Sequence, residues 1–134
     1  ARMAAALRAA RPGIVLTACV VPVEEKLEKG QEWFSWIKAG SVDAVIPMLY
    51  TDESFDKNLA EIQQNLPDLK KIFAGINAEG NAPEVVARHV EKARAAGFGG
   101  VVLWYAGKVG DDLPDLKGNT FARASSSPFV GSGK

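Results

Sequence analysis

The chain has 134 residues, a length typical of one domain, and its 47% hydrophobic content suffices for a packed core. Sixteen Lys and Arg residues balance 16 Asp and Glu residues, and no basic stripe with interleaved aromatic residues occurs, so the composition argues against a nucleic-acid partner. No apolar stretch reaches the roughly 20 residues of a membrane-spanning helix. A single His and a single Cys offer no metal-ligand spacing, and we expect no metal or other cofactor.

The Ala-rich segment ARMAAALRAA predicts a helix that ends near Arg11, where Pro and Gly follow. Because Ala1 falls inside this helical pattern, without an initiator Met, we expect the chain to be a piece of a longer polypeptide. The apolar run GIVLTACVV then predicts a strand. We expect its Cys19 in the core, because a free Cys is among the most buried residue types.

Three further helical patterns alternate with three more apolar runs. EEKLEKGQEWFSWIKAG predicts a helix that ends at Gly40, and SFDKNLAEIQQNL predicts one capped by Ser54 and ended by Pro67. PEVVARHVEKARAAG predicts a helix that begins at Pro83 and closes at Gly97. Between them, DAVIPMLY, KIFAGINA and GVVLWYAG predict strands apolar enough to be covered on both faces.

The lone His89 is flanked by charged residues, and we expect it on the protein surface. We expect the negative charge of Glu53 to interact favourably with the N-terminus of a helix. Beyond the fourth apolar run, a short helix is predicted around residues 113–121.

The apolar runs recur at a constant spacing, because the intervals between Ile14, Asp43, Ile72 and Val101 are equal (43 − 14, 72 − 43 and 101 − 72). Strands alternating with helices predict right-handed crossovers and a parallel sheet. A unit of roughly this length is also the unit of the (β/α)8 barrel, in which eight units span about 250 residues. We therefore predict an α/β fold, half of a (β/α)8 barrel, over residues 1–124, with a flexible tail or linker over 125–134. A small doubly wound sheet is the alternative.

In both architectures the ligand site lies at the carboxyl ends of the strands. The side chains expected there are Pro22 after the first strand, Tyr50, Thr51, Asp52 and Glu53 after the second, Asn77 and Glu79 after the third, and Trp104, Tyr105 and Lys108 after the fourth. Carboxylates beside aromatic rings favour carbohydrate chemistry, because sugar rings stack on aromatic planes and glycosidic cleavage uses two carboxyl groups. Phosphate-binding glycine motifs and a GxSxG elbow are absent from the sequence.

The segments WIKAGSVDAVIPMLYTDESF, IFAGINAEG and GFGGVVLWYAG resemble, in this order, the C-terminal half of the glycosyl-hydrolase-like family 10 proteins, which are bacterial glycosidase-type barrels. The resemblance covers roughly residues 14–106. It implies strands five to eight of the barrel, a bacterial cell-wall or other polysaccharide as substrate, and an exported or cell-envelope location for the parent protein.

The resemblance also implies roles for individual residues. Tyr50 would hydrogen-bond a carboxylate or the reacting group of the substrate, and Asp52 would be its polar partner, as in chitinase-like barrels. Glu79 follows the strand on which retaining glycosidases carry their nucleophile. Trp104 would form the floor of a sugar subsite.

The resemblance leaves Met48, Asn77 and Tyr105 as lining of the substrate site, although Met48 can equally fill the barrel interior. The proton-donating acid of such barrels comes from strand four, which lies outside this chain. We therefore expect the parent protein to hydrolyse a glycosidic bond and this piece alone to be inactive or very weak.

Two other functions stay open at this point. One is a non-catalytic half-barrel that persists by pairing with its missing half or with another copy, because open strand edges and an uncovered apolar face favour association. The other is a small flavodoxin-like ligand-binding domain. The acidic, glycine-poor loop PVEEKLEKG after the first strand counts against it.

Overall fold

The computed structural model describes residues 2–105, 107, 114 and 116–122. Within these, four α-helices alternate with four β-strands: α1 (Arg2–Ala10), β1 (Thr17–Val20), α2 (Trp33–Lys38), β2 (Ala44–Pro47), α3 (Asp52–Asn65), β3 (Phe73–Asn77), α4 (Pro83–Ala95) and β4 (Gly100–Trp104). Short 3-10 turns occupy Val23–Glu25 and Leu69–Lys71, and a π-helical turn occupies Leu116–Thr120. The predicted α/β class is confirmed. The tail predicted over 125–134 lies outside the described residues, and the helix predicted around 113–121 lies only partly within them.

The strands pair in parallel as two small sheets, β1 with β2 and β3 with β4. Single bridges, Val45 to Ile72 and Met48 to Gly75, link β2 to β3. The offset in residue number between partners is the same in all three pairings (44 − 17, 72 − 45 and 100 − 73). The described strands therefore follow chain order at a constant offset, and they form no closed barrel. The interval between successive apolar runs in the sequence is slightly longer than this offset. The interval gives the length of one strand-helix unit, whereas the offset gives the pairing register between neighbouring strands.

One face of the strands packs against the helices and forms the core. Val20, Val45, Leu49 and Ile76 on this face have no exposed surface. The helices add these side chains to the same cluster: Trp33, Phe34 and Ile37 from α2, Phe55 and Ile62 from α3, and Val86, Val90 and Ala93 from α4. Each of these helices thus packs on the sheet through one apolar stripe.

The other face of the strands, which we call the open face, carries the residues that alternate with those of the core: Thr17, Cys19, Ile46, Met48, Phe73, Gly75, Val102 and Trp104. Thr17 and Cys19 are exposed, and Val102 is 41% exposed. The prediction that the strands are covered on both faces is therefore wrong for β1 and β4, whereas β3 is buried on both faces from Phe73 to Ile76. The prediction that Cys19 lies in the core is also wrong. The physical reason is the period of two in a strand, which turns Cys19 away from the helices when Val20 faces them.

Two helices begin or end differently from the sequence prediction. The long helix predicted before Gly40 is only Trp33–Lys38, and turns replace its first half. Thr51, not Ser54, caps α3, because the hydroxyl of Thr51 accepts a hydrogen bond from the Ser54 N–H at 3.1 Å.

Other helix ends are as predicted. The helix α4 begins at Pro83. Gly40 and Gly97 follow α2 and α4 with φ of 63° and 81°, the left-handed conformation that glycine adopts without strain.

An arginine holds α1 to the rest of the fold. The Arg8 guanidinium donates to the Gly40 carbonyl at 2.8 Å and to Asp43 Oδ1 at 2.9 Å, while Asp43 Oδ2 accepts the Leu16 N–H at 2.7 Å. Partial burial raises the pKa of Asp43, but the Leu16 and Arg8 hydrogen bonds outweigh it and hold that pKa below its usual 3.8.

Candidate functional site at the carboxyl edge

The carboxyl ends of β1 and β2 enclose a cleft of about 270 Å³. Its lining residues are Val21, Pro22, Glu25, Met48, Tyr50, Thr51 and Ser54. Of the residues predicted for the strand ends, Pro22, Tyr50 and Thr51 are among them, and so is Met48, which was predicted to bind substrate. Lys108 lies outside the described residues. The volume lies just below the range of about 300–1,000 Å³ that is typical of pockets for small ligands.

The side chain of Tyr50 is partly buried, and its hydroxyl has a shifted pKa. Desolvation raises the pKa of Tyr50 above 10.0, and the nearby Cys19 sulfur adds to the rise when it is ionised. The Tyr50 hydroxyl therefore keeps its proton and can donate a hydrogen bond at neutral pH. The Tyr50 carbonyl accepts from Asn81 Nδ2 at 3.0 Å, and the same amide donates to the Asn77 carbonyl at 2.8 Å. Asn81 thus ties the loop after β3 to the end of β2.

The loop after β3 lies directly beside Trp104. Asn77 and Trp104 are register partners, and the Trp104 carbonyl accepts the N–H groups of Ala78 and Glu79 at 2.6 and 3.3 Å. The Asn77 Oδ1 accepts the N–H groups of Glu79 and Gly80, both at 3.0 Å. Asn77 therefore shapes the loop, and Glu79 is an exposed carboxylate anchored next to Trp104 through its backbone.

Two aromatic side chains stand exposed at the end of β4. Trp104 is 57% exposed and Tyr105 is 44% exposed. Their ring centroids are 6.2 Å apart, with planes tilted by 58°, and the peptide between them is cis. Large aromatic side chains are usually mostly buried, so this exposed pair at a strand end is a candidate contact surface.

Asp52 points to α4 and is absent from the lining of the cleft. The Arg88 guanidinium lies 2.5 Å from Asp52 Oδ2, and His89 Nε2 lies 2.8 Å from Asp52 Oδ1. The Arg88 hydrogen bond, followed by that from His89, holds the pKa of Asp52 below 3.8. These contacts indicate an ionised tie between α3 and α4. The catalytic role of Asp52 stays a prediction, and its contacts are not those of a proton donor.

His89 is fully buried, so its predicted position on the surface is wrong. Its ring stacks on Phe55 at 4.7 Å, and its Nε2 donates to the ionised Asp52 carboxylate. Position 89 lies three residues after Val86 and four before Ala93, on the buried stripe of α4. This helical phase was the signal in the sequence, and the charged neighbours on the other faces obscured it.

Sequence reasoning missed two residues that build the cleft. Glu25 lies in the turn after β1 and lines the cleft beside Tyr50. Asn58, fully buried on α3, holds that turn: its Oδ1 accepts the Val23 N–H at 2.5 Å, and its Nδ2 donates to Glu24 Oε2 at 2.9 Å. Glu25 follows a strand end, as the predicted site residues do, whereas nothing local in the sequence distinguishes Asn58.

The described residues contain no group of three or more His, Cys, Asp and Glu side chains placed to hold a metal ion. No helix among them combines the length and apolarity needed to cross a bilayer. Comparison with protein-family models, with curated proteins and with solved structures gave no match to this chain.

Proposed function

We propose that the carboxyl edge is the glycan-binding wall of a glycoside hydrolase site, of the kind that the resemblance to glycosyl-hydrolase-like family 10 implies. The observation that carries the proposal is the exposed pair Trp104 and Tyr105 beside the anchored carboxylate Glu79. An indole plane in contact with water offers a surface to the apolar C–H face of a sugar ring, and a nearby carboxylate accepts hydrogen bonds from its hydroxyl groups.

The cleft at the other end of the edge supplies the polar contacts that a sugar needs. The Tyr50 hydroxyl, protonated at neutral pH, is a donor, and Glu25, which also lines the cleft, is an acceptor. Met48 offers an apolar floor that adapts to the shape of a ring. This mixture of a few polar groups on an apolar surface is typical of ligand sites.

Glycosidic cleavage requires a carboxylic acid that protonates the leaving oxygen and a second carboxylate that attacks or activates water. Glu79 is the better nucleophile candidate of the two predicted acids, because Asp52 is bound to Arg88 and His89. The chain alone is expected to bind glycan without significant turnover, because the resemblance implies that the proton-donating acid belongs to a strand that these 134 residues do not include.

The proposed half-barrel architecture has support in the order of the strands. Right-handed crossovers between strands that follow chain order place all helices on one face, as in a (β/α)8 barrel. A flavodoxin-like sheet needs a reversal of strand order, and the described strands have none. The constant register offset, repeated in three pairings, also favours a sheet that curls regularly.

A second candidate function is pairing without catalysis, and the open face favours it. Val102 and Trp104 are apolar and exposed, and they lie two residues apart on the same face of β4. Trp104 belongs both to the open face and to the carboxyl edge, so a partner that covers Trp104 would compete with a glycan for it.

A binding experiment tests the glycan proposal. Calorimetric titration with soluble oligosaccharides derived from chitin, cellulose and xylan should show binding by the wild-type chain to at least one of them. Trp104→Ala should weaken that binding about tenfold or more, the effect of about 1.4 kcal/mol. Met3→Ala, which removes a side chain that is 77% exposed on α1, is the control and should bind as the wild type does. Absence of binding to every sugar, or equal binding by Trp104→Ala, would refute the proposal.

A further inference from the structure

We propose that the cleft at the carboxyl ends of β1 and β2 binds the ammonium group of an amino sugar, with Glu25 as its counter-ion. This assignment rests on the proposed function, because it takes the ligand to be a glycan and names the kind of sugar. The walls of the cleft come from residues 21–25 and 48–54, two segments at the ends of strands that pair with each other.

Glu25 supplies the charge of the cleft. Among the described residues that line it, Glu25 alone is charged, and the others are Val21, Pro22, Met48, Tyr50, Thr51 and Ser54. Glu25 is partly buried, and its carboxylate makes no hydrogen bond or ion pair with another described residue. A carboxylate that is partly removed from water without a cationic partner favours a ligand that brings the missing charge.

The basic side chains nearest to Glu25 in the sequence bind other carboxylates. Lys26 Nζ lies 3.2 Å from Glu32 Oε1, and Lys29 Nζ lies 3.1 Å from Glu28 Oε1. Neither lysine therefore neutralises Glu25, and the negative charge of the cleft remains available to a ligand. The same charge would repel an acidic sugar.

Tyr50 adds a second feature that suits an organic cation. Desolvation raises the pKa of its hydroxyl above 10.0, so the ring is that of a neutral phenol, whose face attracts a cation. Tyr50 and Glu25 line one cleft of about 270 Å³, so a ligand inside it lies near both. A carboxylate and an aromatic ring together favour an ammonium group over a neutral acetamide or hydroxyl group.

The hydroxyl groups of Thr51 and Ser54 complete the polar lining. Thr51 Oγ1 accepts the Ser54 N–H at 3.1 Å, and Ser54 Oγ accepts from Asn58 Nδ2 at 3.2 Å. Because each oxygen already acts as an acceptor, its own proton can be donated to a sugar oxygen. The cleft thus offers donors to the neutral part of a sugar and one carboxylate to its ammonium group.

The cleft and Trp104 lie within reach of one short oligosaccharide. Tyr50 follows β2 and Trp104 ends β4, and β3 is the strand between them. Two strand spacings amount to roughly 10 Å. One ring of an oligosaccharide can therefore stack on Trp104 while the amino group of another ring enters the cleft.

Comparison of three oligosaccharides tests this inference on the full chain. Chitosan, chitin and cellulose oligosaccharides of equal length share one backbone and differ at one carbon, which carries an ammonium, an acetamide or a hydroxyl group. Calorimetric titration at about pH 6, at which the amine is protonated, should show binding of the chitosan oligosaccharide about fivefold tighter or more. High salt should reduce this preference, because it screens the charge of Glu25.

Glu25→Gln removes the charge and keeps the shape of the side chain. It should reduce the preference to about twofold or less, since only the Tyr50 ring still favours a cation. Glu28→Gln is the matched control, because it removes the same charge from an exposed position of the same loop that does not line the cleft. It should keep the preference, and far-ultraviolet circular dichroism checks that both variants are folded.

Equal binding of the three oligosaccharides by wild type, or an unchanged preference in Glu25→Gln, would overturn the inference. A simple diamine that binds as tightly as the chitosan oligosaccharide would also overturn it, because the cleft would then recognise an amine and not a sugar.

Trp104→Ala separates this inference from the proposed function. If all three oligosaccharides bind through Trp104 without preference for chitosan, the inference alone fails. If chitosan binding depends on Glu25 and not on Trp104, the amino-sugar cleft stands and the role of Trp104 in the proposed function is refuted. Absence of binding by all three oligosaccharides would refute both.

Discussion

The two faces of the sheet differ in solvent exposure. Ile76 in β3 faces the helices and has no exposed surface, whereas Val102 in the adjacent strand β4 faces away and is 41% exposed. Both residues are apolar and β-branched, so their own chemistry does not decide their burial. The burial of each residue depends on which face of the strand the crossover helices cover. An apolar strand sequence can therefore have only one of its two faces buried within the chain.

The largest effect predicted from this comparison comes from truncating the covered face. Ile76→Ala should lower the free energy of unfolding by about 2–5 kcal/mol, because it leaves a cavity in a packed core. Val102→Ala should change it by less than about 1 kcal/mol in the monomer, where the side chain is partly in water. Urea unfolding at low protein concentration measures both values. Similar losses for the two variants would show that the open face is already buried within one chain.

A smaller loss of stability is predicted for Asn58, the buried residue of α3 that holds the turn beside the cleft. Asn58→Leu should cost about 1–3 kcal/mol, since it leaves the buried Val23 N–H without an acceptor. Asn65→Leu removes an exposed amide from the same helix and should cost less than about 0.5 kcal/mol.

The turn that carries Glu25 should also loosen in Asn58→Leu. Faster amide hydrogen exchange at residues 23–25, with unchanged exchange in α4, would show that this turn is loosened. Unchanged exchange in the turn would show that Asn58 does not position the cleft.

The smallest predicted effect concerns the tie between α3 and α4. The Asp52 pKa is lowered in the folded state, so its ionised carboxylate stabilises the fold above the unfolded value of 3.8, and this contribution is lost as pH falls through the folded pKa. Asp52→Asn should therefore lower the urea midpoint at pH 7 and differ little from wild type at pH well below the folded pKa.

Glu53→Gln is the matched control, because it removes an exposed carboxylate in the same helical turn. It should lower the midpoint at pH 7 by less than Asp52→Asn does. A larger gap between wild type and Asp52→Asn in acid than at pH 7 would contradict the assignment of Asp52 as an ionised tie.

The sequence predicts the elements and their order well, because periodicity is a local signal. The stripe of Phe55 and Ile62 marks α3, and Pro83 and Gly97 mark the ends of α4. Contacts between elements are not local. Asp52 pairs with Arg88 and His89 across β3 and two loops, and this pairing cannot be read from the sequence neighbours of any one of them.

The candidate site shows the same division. Tyr50, Glu79 and Trp104 were placed at the carboxyl edge because strand ends in a parallel sheet share one edge, and the structure has all three there. The role of Asn81, which joins two loops through carbonyl groups of Tyr50 and Asn77, depends on the approach of those loops. Only the folded chain contains that information.

Glycan binding through Trp104 can be followed by nuclear magnetic resonance of the three tryptophan indole N–H groups during titration with an oligosaccharide. Trp33 is fully buried and Trp36 lies on α2 beside a different cavity, so they serve as internal references. We predict that the Trp104 signal shifts with saturation while the signals of Trp33 and Trp36 stay in place. A shift confined to Trp36, or no shift of Trp104 with a sugar that binds, would contradict the account.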